Sequence, residues 1–180
     1  MGVKVVAKVS NPRCRRLVVV DPGANGCACF VDGDNKAIVI DFGDQGLVRK
    51  LRSILPTDGW EVYMENVHAM PGQGVTSMFS FGRNFGWWLG VFGLMGLDVH
   101  GLEPRTWIKE VYDYHHCNSE VPLPSYKEYT QIDKKDRKKS NLFLARSLFG
   151  IEGLEKIKYH DRADALLMTD HVIRTRGGDV

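Results

Sequence analysis

The sequence predicts an α/β fold, a mixed five-stranded sheet with helices on both faces. Three apolar runs separated by turn residues open the chain, and from residue 45 onward helical and strand-like segments alternate, which is the pattern of a sheet covered by helices. The 180 residues, 43% hydrophobic and 26% charged, suit one compact domain, so 1–180 is expected to fold as a unit, with 1–14 a flexible basic N-terminal segment.

The elements follow in order. Residues 17–21 (LVVVD) form a buried strand stopped by Pro22-Gly23. Residues 26–31 and 37–42 are two further strands, with Asp32-Gly33-Asp34-Asn35 as the hairpin turn between them. A short helix over 45–55 stops before Pro56. Residues 60–65 (WEVYME) alternate like a strand and end on Glu65. A Pro/Gly loop over 69–75 leads into a long apolar helix from about 77 to 96, whose glycines at 82, 86, 90 and 93 recur about one turn apart and permit close approach of another element. Residues 97–102 supply the fifth strand, and Pro104 suits the first turn of a helix through Tyr112. Residues 115–131 read as a loop, 132–149 as a helix with Leu142, Leu144, Ala145 and Leu148 on its apolar stripe, and 161–174 as the last helix.

The formal net charge of +2 conceals segregation. Lys4, Lys8, Arg13, Arg15 and Arg16 meet no acid in the first twenty residues, whereas Asp21, Asp32, Asp34, Asp41 and Asp44 face only Lys36 in the next stretch. Lys134, Lys135, Arg137, Lys138, Lys139 and Arg146 form a second basic block around Asp136. Basic blocks beside a separate acidic group suit a polyanion held near bound metal; a solvated helix face is the plainer alternative. No run approaches the ~20 apolar residues of a membrane span, and no export signal is evident, so a cytoplasmic protein without a membrane partner is expected. Four cysteines form no disulfide framework. Cys27-x-Cys29 with the remote His115-His116-Cys117 triplet is a poor zinc signature, and no zinc is expected.

The chemistry lies in the acids. Asp21 ends the first strand and Glu65 the fourth, while Asp161 and Asp164 share one face of the last helix at i, i+3. Each alone has an ordinary role: a turn, a solvated strand end, a helix cap. Gathered at the carboxyl ends of neighbouring strands, they would repel unless hard cations sat between them, and Mg2+ or Mn2+ suits an all-oxygen site.

The blocks VVVDPGANG (18–26), YMENV (63–67) and HDRADALLM (160–168) resemble those of the RuvC-type Holliday-junction resolvases, within the RNase H-like (retroviral integrase) superfamily. The resemblance spans about residues 15–175 and implies an RNase H-like fold. It implies that Asp21, Glu65, Asp161 and Asp164 bind two divalent metals, with Asp21 the best candidate to bridge them. Members carry Asp or His at the position of Asp161, and His160 precedes it, so the register leaves two candidates for that ligand. The implied activity is two-metal hydrolysis of branched DNA, giving 5′-phosphate and 3′-hydroxyl ends. A junction is close to two-fold symmetric, so paired nicks from an isologous homodimer are expected. The long helix, with its Trp87, Trp88, Leu89, Val91, Phe92 and Leu94, is the candidate interface, burial in a single core being the plainer alternative. The implied DNA-contacting residues are Lys109 and Lys139, with Lys134, Lys135, Arg137 and Lys138 beside the latter. His68 stands where members often carry an aromatic near the junction centre, and Phe79 and Phe81 are possible substitutes. The divergent loops suit a phage or organelle version.

Other functions fit less well. A flap or fork nuclease and an RNase H-like RNA nuclease share the fold and metal chemistry. A transposase, or an ATP-binding member of the actin and sugar-kinase group, needs further domains or phosphate loops. A non-catalytic branched-DNA-binding protein would not need four acids.

Overall fold

A computed structural model of the chain describes residues 5–8, 16–23, 25–32, 36–43, 46–55, 59–68, 72–151, 154 and 156–176, with backbone alone for 5–8 and 36. The predicted turn at 33–35, most of the basic segment 1–14 and the start of the Pro/Gly loop fall outside these residues.

The sheet is built from β1 (Val5–Lys8), β2 (Arg16–Asp21), β3 (Cys27–Val31), β4 (Lys36–Asp41), β5 (Trp60–Glu65) and β6 (Val99–Leu102) in the order β1-β4-β3-β2-β5-β6. β2, β3 and β4 form the expected antiparallel meander, and β5 and β6 add parallel on the other side, so the five predicted strands make the mixed sheet. A sixth strand, β1, pairs antiparallel with β4 at the edge. Part of the segment expected to be flexible is therefore paired. Its Val5, Val6 and Ala7 carry strand propensity that the surrounding charges obscured.

Alternation of side chains gives each strand two apolar faces. Val18, Val20, Ala28, Phe30, Val62 and Met64 pack under α1 (Leu47–Ile54) and α2 (Val75–Leu94). Leu17, Val19, Cys27, Cys29, Val31 and Tyr63 pack under α3 (Pro104–Asn118), α5 (Lys134–Phe149) and α6 (His160–Arg176). β2 lies between β3 and β5 with both faces covered, which is why it reads as unbroken LVVV.

The stretch expected to be a loop is largely helical. α3 continues to Asn118, carrying His115, His116 and Cys117, and a short α4 spans Tyr126–Gln131. Ser125 and Glu128 cap α4 reciprocally, a device that fixes a helix too short to show an apolar period. His115 meets Asp170 at 2.9 Å, His116 meets the Leu123 carbonyl at 2.6 Å, and Cys117 is exposed. On α2 one stripe, centred on Trp88 and Phe92, faces the sheet, while Phe79 is 71% and Leu94 91% exposed. A Cβ at Gly82, Gly86, Gly90 or Gly93 would meet nothing within 4 Å, so among the described residues no element uses the close approach these glycines allow.

Candidate active site

The register places the first two acids side by side. Val20 on β2 pairs with Met64 on β5, so Asp21 and Glu65 end adjacent parallel strands at the same edge of the sheet. Alternation turns both toward the face covered by α6, the face of Val19 and Tyr63. α6 starts over this edge; its first turn carries Asp161, and Asp164 follows one turn on. Cys27, the partner of Asp21 on β3, donates its Sγ–H to the Asp161 carbonyl at 3.1 Å, tying the helix start to the row that holds Asp21.

The four carboxylates feel one another. Asp21, 6% exposed, has its pKa held well above the usual carboxylate range, first by burial and then by the charges of Glu65, Asp161 and Asp164. Burial raises Glu65 as well, with the Asp161 charge adding to it and the Trp107 hydrogen bond opposing. Asp164 is pushed up to about 7 by burial and by the charges of Glu65 and Asp161, against the pull of Asn141 and His160.

Each acid is met by a donor that is neutral or titratable. The Gly23 amide donates to Asp21 Oδ1 at 2.8 Å, so Asp21 closes the Pro22-Gly23 turn as well as serving the site. A side chain at Gly23 would sit 3.0 Å from that oxygen. From the other face, Asn84 on α2 donates its amide to the Gly23 carbonyl at 2.9 Å. Trp107 on α3 donates Nε1–H to Glu65 Oε1 at 3.0 Å. Asn141 on α5 donates to Asp164 Oδ1 at 2.6 Å and is itself oriented by the Tyr112 hydroxyl, 2.7 Å from Asn141 Oδ1. Among the described residues no lysine or arginine pairs with any of the four acids.

His160 sits at the junction of acids and bases. Its Nδ1 lies 3.0 Å from the Ile157 carbonyl, which fixes a proton there. Nε2 lies 2.7 Å from Asp161 Oδ1 and 2.8 Å from Lys138 Nζ. As imidazolium it donates to Asp161; as the neutral ring it accepts from Lys138. Asp161 favours the first form and raises the His160 pKa.

The basic residues divide. Lys138 reaches the acid cluster through His160, whereas Lys139 pairs with Asp136 at 2.6 Å and Lys109 with Asp113 at 2.7 Å, both exposed. Lys134 and Lys135 are exposed on the first turn of α5, and Arg137 and Lys138 are half-buried. His68 is exposed beyond the end of β5. The four acids named from the sequence lie together here, and Trp107, Asn141 and Asn84, which the sequence did not single out, meet them or the Gly23 turn. A buried tryptophan needs a partner for its N–H, but its sequence does not say which.

Among the described residues no three His, Cys, Asp or Glu side chains converge tightly enough to chelate an ion as they stand. The donor set nevertheless suits a hard cation: four carboxylates in mutual electrostatic contact, hydrogen-bonded through single oxygens and, among the described residues, paired with no lysine or arginine.

No protein-family model and no curated protein matches the chain. Among solved structures, its fold is similar to RuvC of T. thermophilus in complex with a Holliday-junction substrate, with TM-score 0.51 and 16% identity over 89% of this chain and 96% of that one. A second T. thermophilus RuvC structure gives TM-score 0.49 and 14% identity over 88% and 95%. At such identity the likeness speaks of fold alone, a mixed sheet flanked by helices. No helix among the described residues is long and apolar enough to cross a membrane.

Proposed function

We propose that the chain is a divalent-metal-dependent endonuclease that nicks branched DNA, four-way junctions above all. The observation that carries this reading is the cluster of Asp21, Glu65, Asp161 and Asp164 at the carboxyl ends of β2 and β5, met by the Gly23 amide, Trp107, Asn141 and His160 and, among the described residues, paired with no lysine or arginine. When bound by these acids, Mg2+ or Mn2+ supplies water activation and neutralises charge on the leaving oxygen. Gly23, Trp107 and Asn141 fix three of the carboxylates in advance, and Lys138 provides a phosphate contact beside them. Labelled four-way junction, fork, flap, RNA–DNA hybrid and linear duplex, incubated with and without Mg2+ or Mn2+, test the reading. Metal-dependent nicks confined to the junction support it, and preferential cutting of the flap, fork or hybrid reassigns the substrate. Absence of cleavage with retained junction binding makes the protein a non-catalytic binder.

The two lysines of α5 separate in this reading. Lys138→Glu is expected to weaken junction binding and reduce the slope of log affinity against log salt by about one unit. Lys139→Glu, whose lysine already pairs with Asp136, is expected to change the slope less. Anisotropy titrations across a salt series read both; equal slopes would remove Lys138 from the DNA surface.

Paired nicks in a near-two-fold junction call for two sites, and the proposed assembly is an isologous homodimer through the outer face of α2. Exposed Phe79, Leu89 and Leu94 line that face, and its glycines leave room for a second helix. Sedimentation equilibrium is expected to give a dimer at micromolar concentration and Leu89→Glu a monomer. A monomeric parent chain, both free and with junction, would leave a single-nick enzyme.

A further inference from the structure

Between Asp161 and Asp164 the chain carries a buried positive charge that the site does not use. The Arg162 guanidinium, its side chain 6% exposed, donates Nε–H to Asp41 Oδ1 at 2.8 Å and Nη2–H to Asp41 Oδ2, and lies over the Tyr159 ring at 4.3 Å. Asp41 is the last residue of β4. Its register partner is Cys27 on β3, whose own partner on β2 is Asp21. One row across three strands therefore holds Asp41, Cys27 and Asp21, and the first turn of α6 is bound to it twice. Cys27 takes the Asp161 carbonyl, and Asp41 takes Arg162 in a two-pronged fork.

A fork of this kind fixes direction as well as distance, because two parallel hydrogen bonds to one carboxylate admit one orientation of the guanidinium plane. The stacked ring removes the remaining freedom. A surface ion pair would serve stability alone and weakly. This pair sits within one residue of Asp161 and two of Asp164, on the element that delivers both, and is anchored to the strand row that delivers Asp21.

We propose that Arg162 and Asp41 are positioning residues for the carboxylate site: their fork sets where α6 begins over the sheet edge, and so the separation of Asp161 and Asp164 from Asp21 and Glu65. The inference rests on the metal-site part of the proposed function. It also gives a use to Asp41, one of the acids in the first acidic block that the catalytic cluster leaves aside.

The test is direct Mn2+ binding to the DNA-free protein, read as free Mn2+ by electron paramagnetic resonance well below the melting temperature. Arg162→Lys keeps the charge and loses the fork; Asp41→Asn keeps the size and loses the charge. Both are expected to raise the Mn2+ dissociation constant about tenfold or more, the scale on which losing the support that orients metal ligands costs affinity. Metal-free junction binding should stay within about twofold, and added Mn2+ should restore nicking. A role in stability alone would lower the melting temperature and leave the Mn2+ constant unchanged, and that result overturns the proposal. Should Asp41→Asn fail to fold, Arg162→Lys, which retains a charged pair, decides the question. If the unaltered chain binds Mn2+ but nicks no branched DNA, the nuclease reading falls, and the variants' Mn2+ constants still judge the fork. If it nicks while the variants' constants stay unchanged, the fork falls alone. If it binds no Mn2+, both fall.

Discussion

Asp21→Asn is expected to lower junction nicking by roughly three orders of magnitude while leaving metal-free junction binding within a few-fold. The substitution preserves size, and the asparagine oxygen can still accept the Gly23 amide that Asp21 Oδ1 accepts at 2.8 Å, so the turn after β2 survives. What disappears is the charge at the centre of the cluster, the one carboxylate that feels Glu65, Asp161 and Asp164 together. DNA affinity is assigned to the α5 lysines and so should persist; with one negative charge fewer beside a polyanion it should, if anything, rise. Single-turnover nicking of a labelled junction and metal-free anisotropy measure the two halves. Near-normal turnover would remove Asp21 from the chemistry.

The acids were legible in the sequence because each ends or opens an element whose pattern is strong. LVVVD is an apolar strand with a charge at its tip, WEVYME alternates up to Glu65, and Asp161-x-x-Asp164 has helical spacing ahead of an apolar run. Parallel pairing of β2 and β5 sets Asp21 beside Glu65, and the start of α6, tied to Cys27, brings Asp161 and Asp164 near them. The residues that hold the acids carried no such signal. Trp107 lies 42 positions from Glu65, Asn141 lies 23 from Asp164, and Arg162 lies 121 from Asp41. A single donor at such a distance has no period, and each looked like an ordinary member of its own helix. α4 was hidden because six residues cannot display an amphipathic period, although Ser125-x-x-Glu128 could have revealed its start. β1 was hidden because its apolar run is only three residues, Val5-Val6-Ala7, set between Lys4 and Lys8.

A clustered carboxylate site should also cost the fold something that a melting experiment can read. Asp21, Glu65 and Asp164 all have folded pKa values above those of the unfolded chain, and Asp164 reaches about 7 from a usual 3.8. Between these limits the folded state holds protons that the unfolded state has released, so stability falls as pH rises through that window. His160, raised by Asp161, acts in the same direction, its contribution present below the unfolded value and lost as pH climbs through the folded one. His171, lowered by burial, opposes them just below its usual value. Asp113, Glu128 and Asp133 are lowered and lose their contributions only in more acidic solution. In chelator, then, the protein is expected to melt at higher temperature near pH 5 than near pH 8, the protons leaving the acids as a set. Asp164→Asn removes one charge while its oxygen can keep the Asn141 hydrogen bond, and should flatten that slope. At pH 8 it should stabilise the metal-free chain by on the order of 2 kcal/mol, a rise of roughly 5 °C. Excess Mg2+ should raise the melting temperature of the unaltered chain at pH 8 and that of Asp164→Asn far less, because a ligand that binds only the folded state stabilises it in proportion to its occupancy. Parallel pH profiles for the two chains, or an equal response to Mg2+, would show that the four acids neither strain the fold nor share a cation.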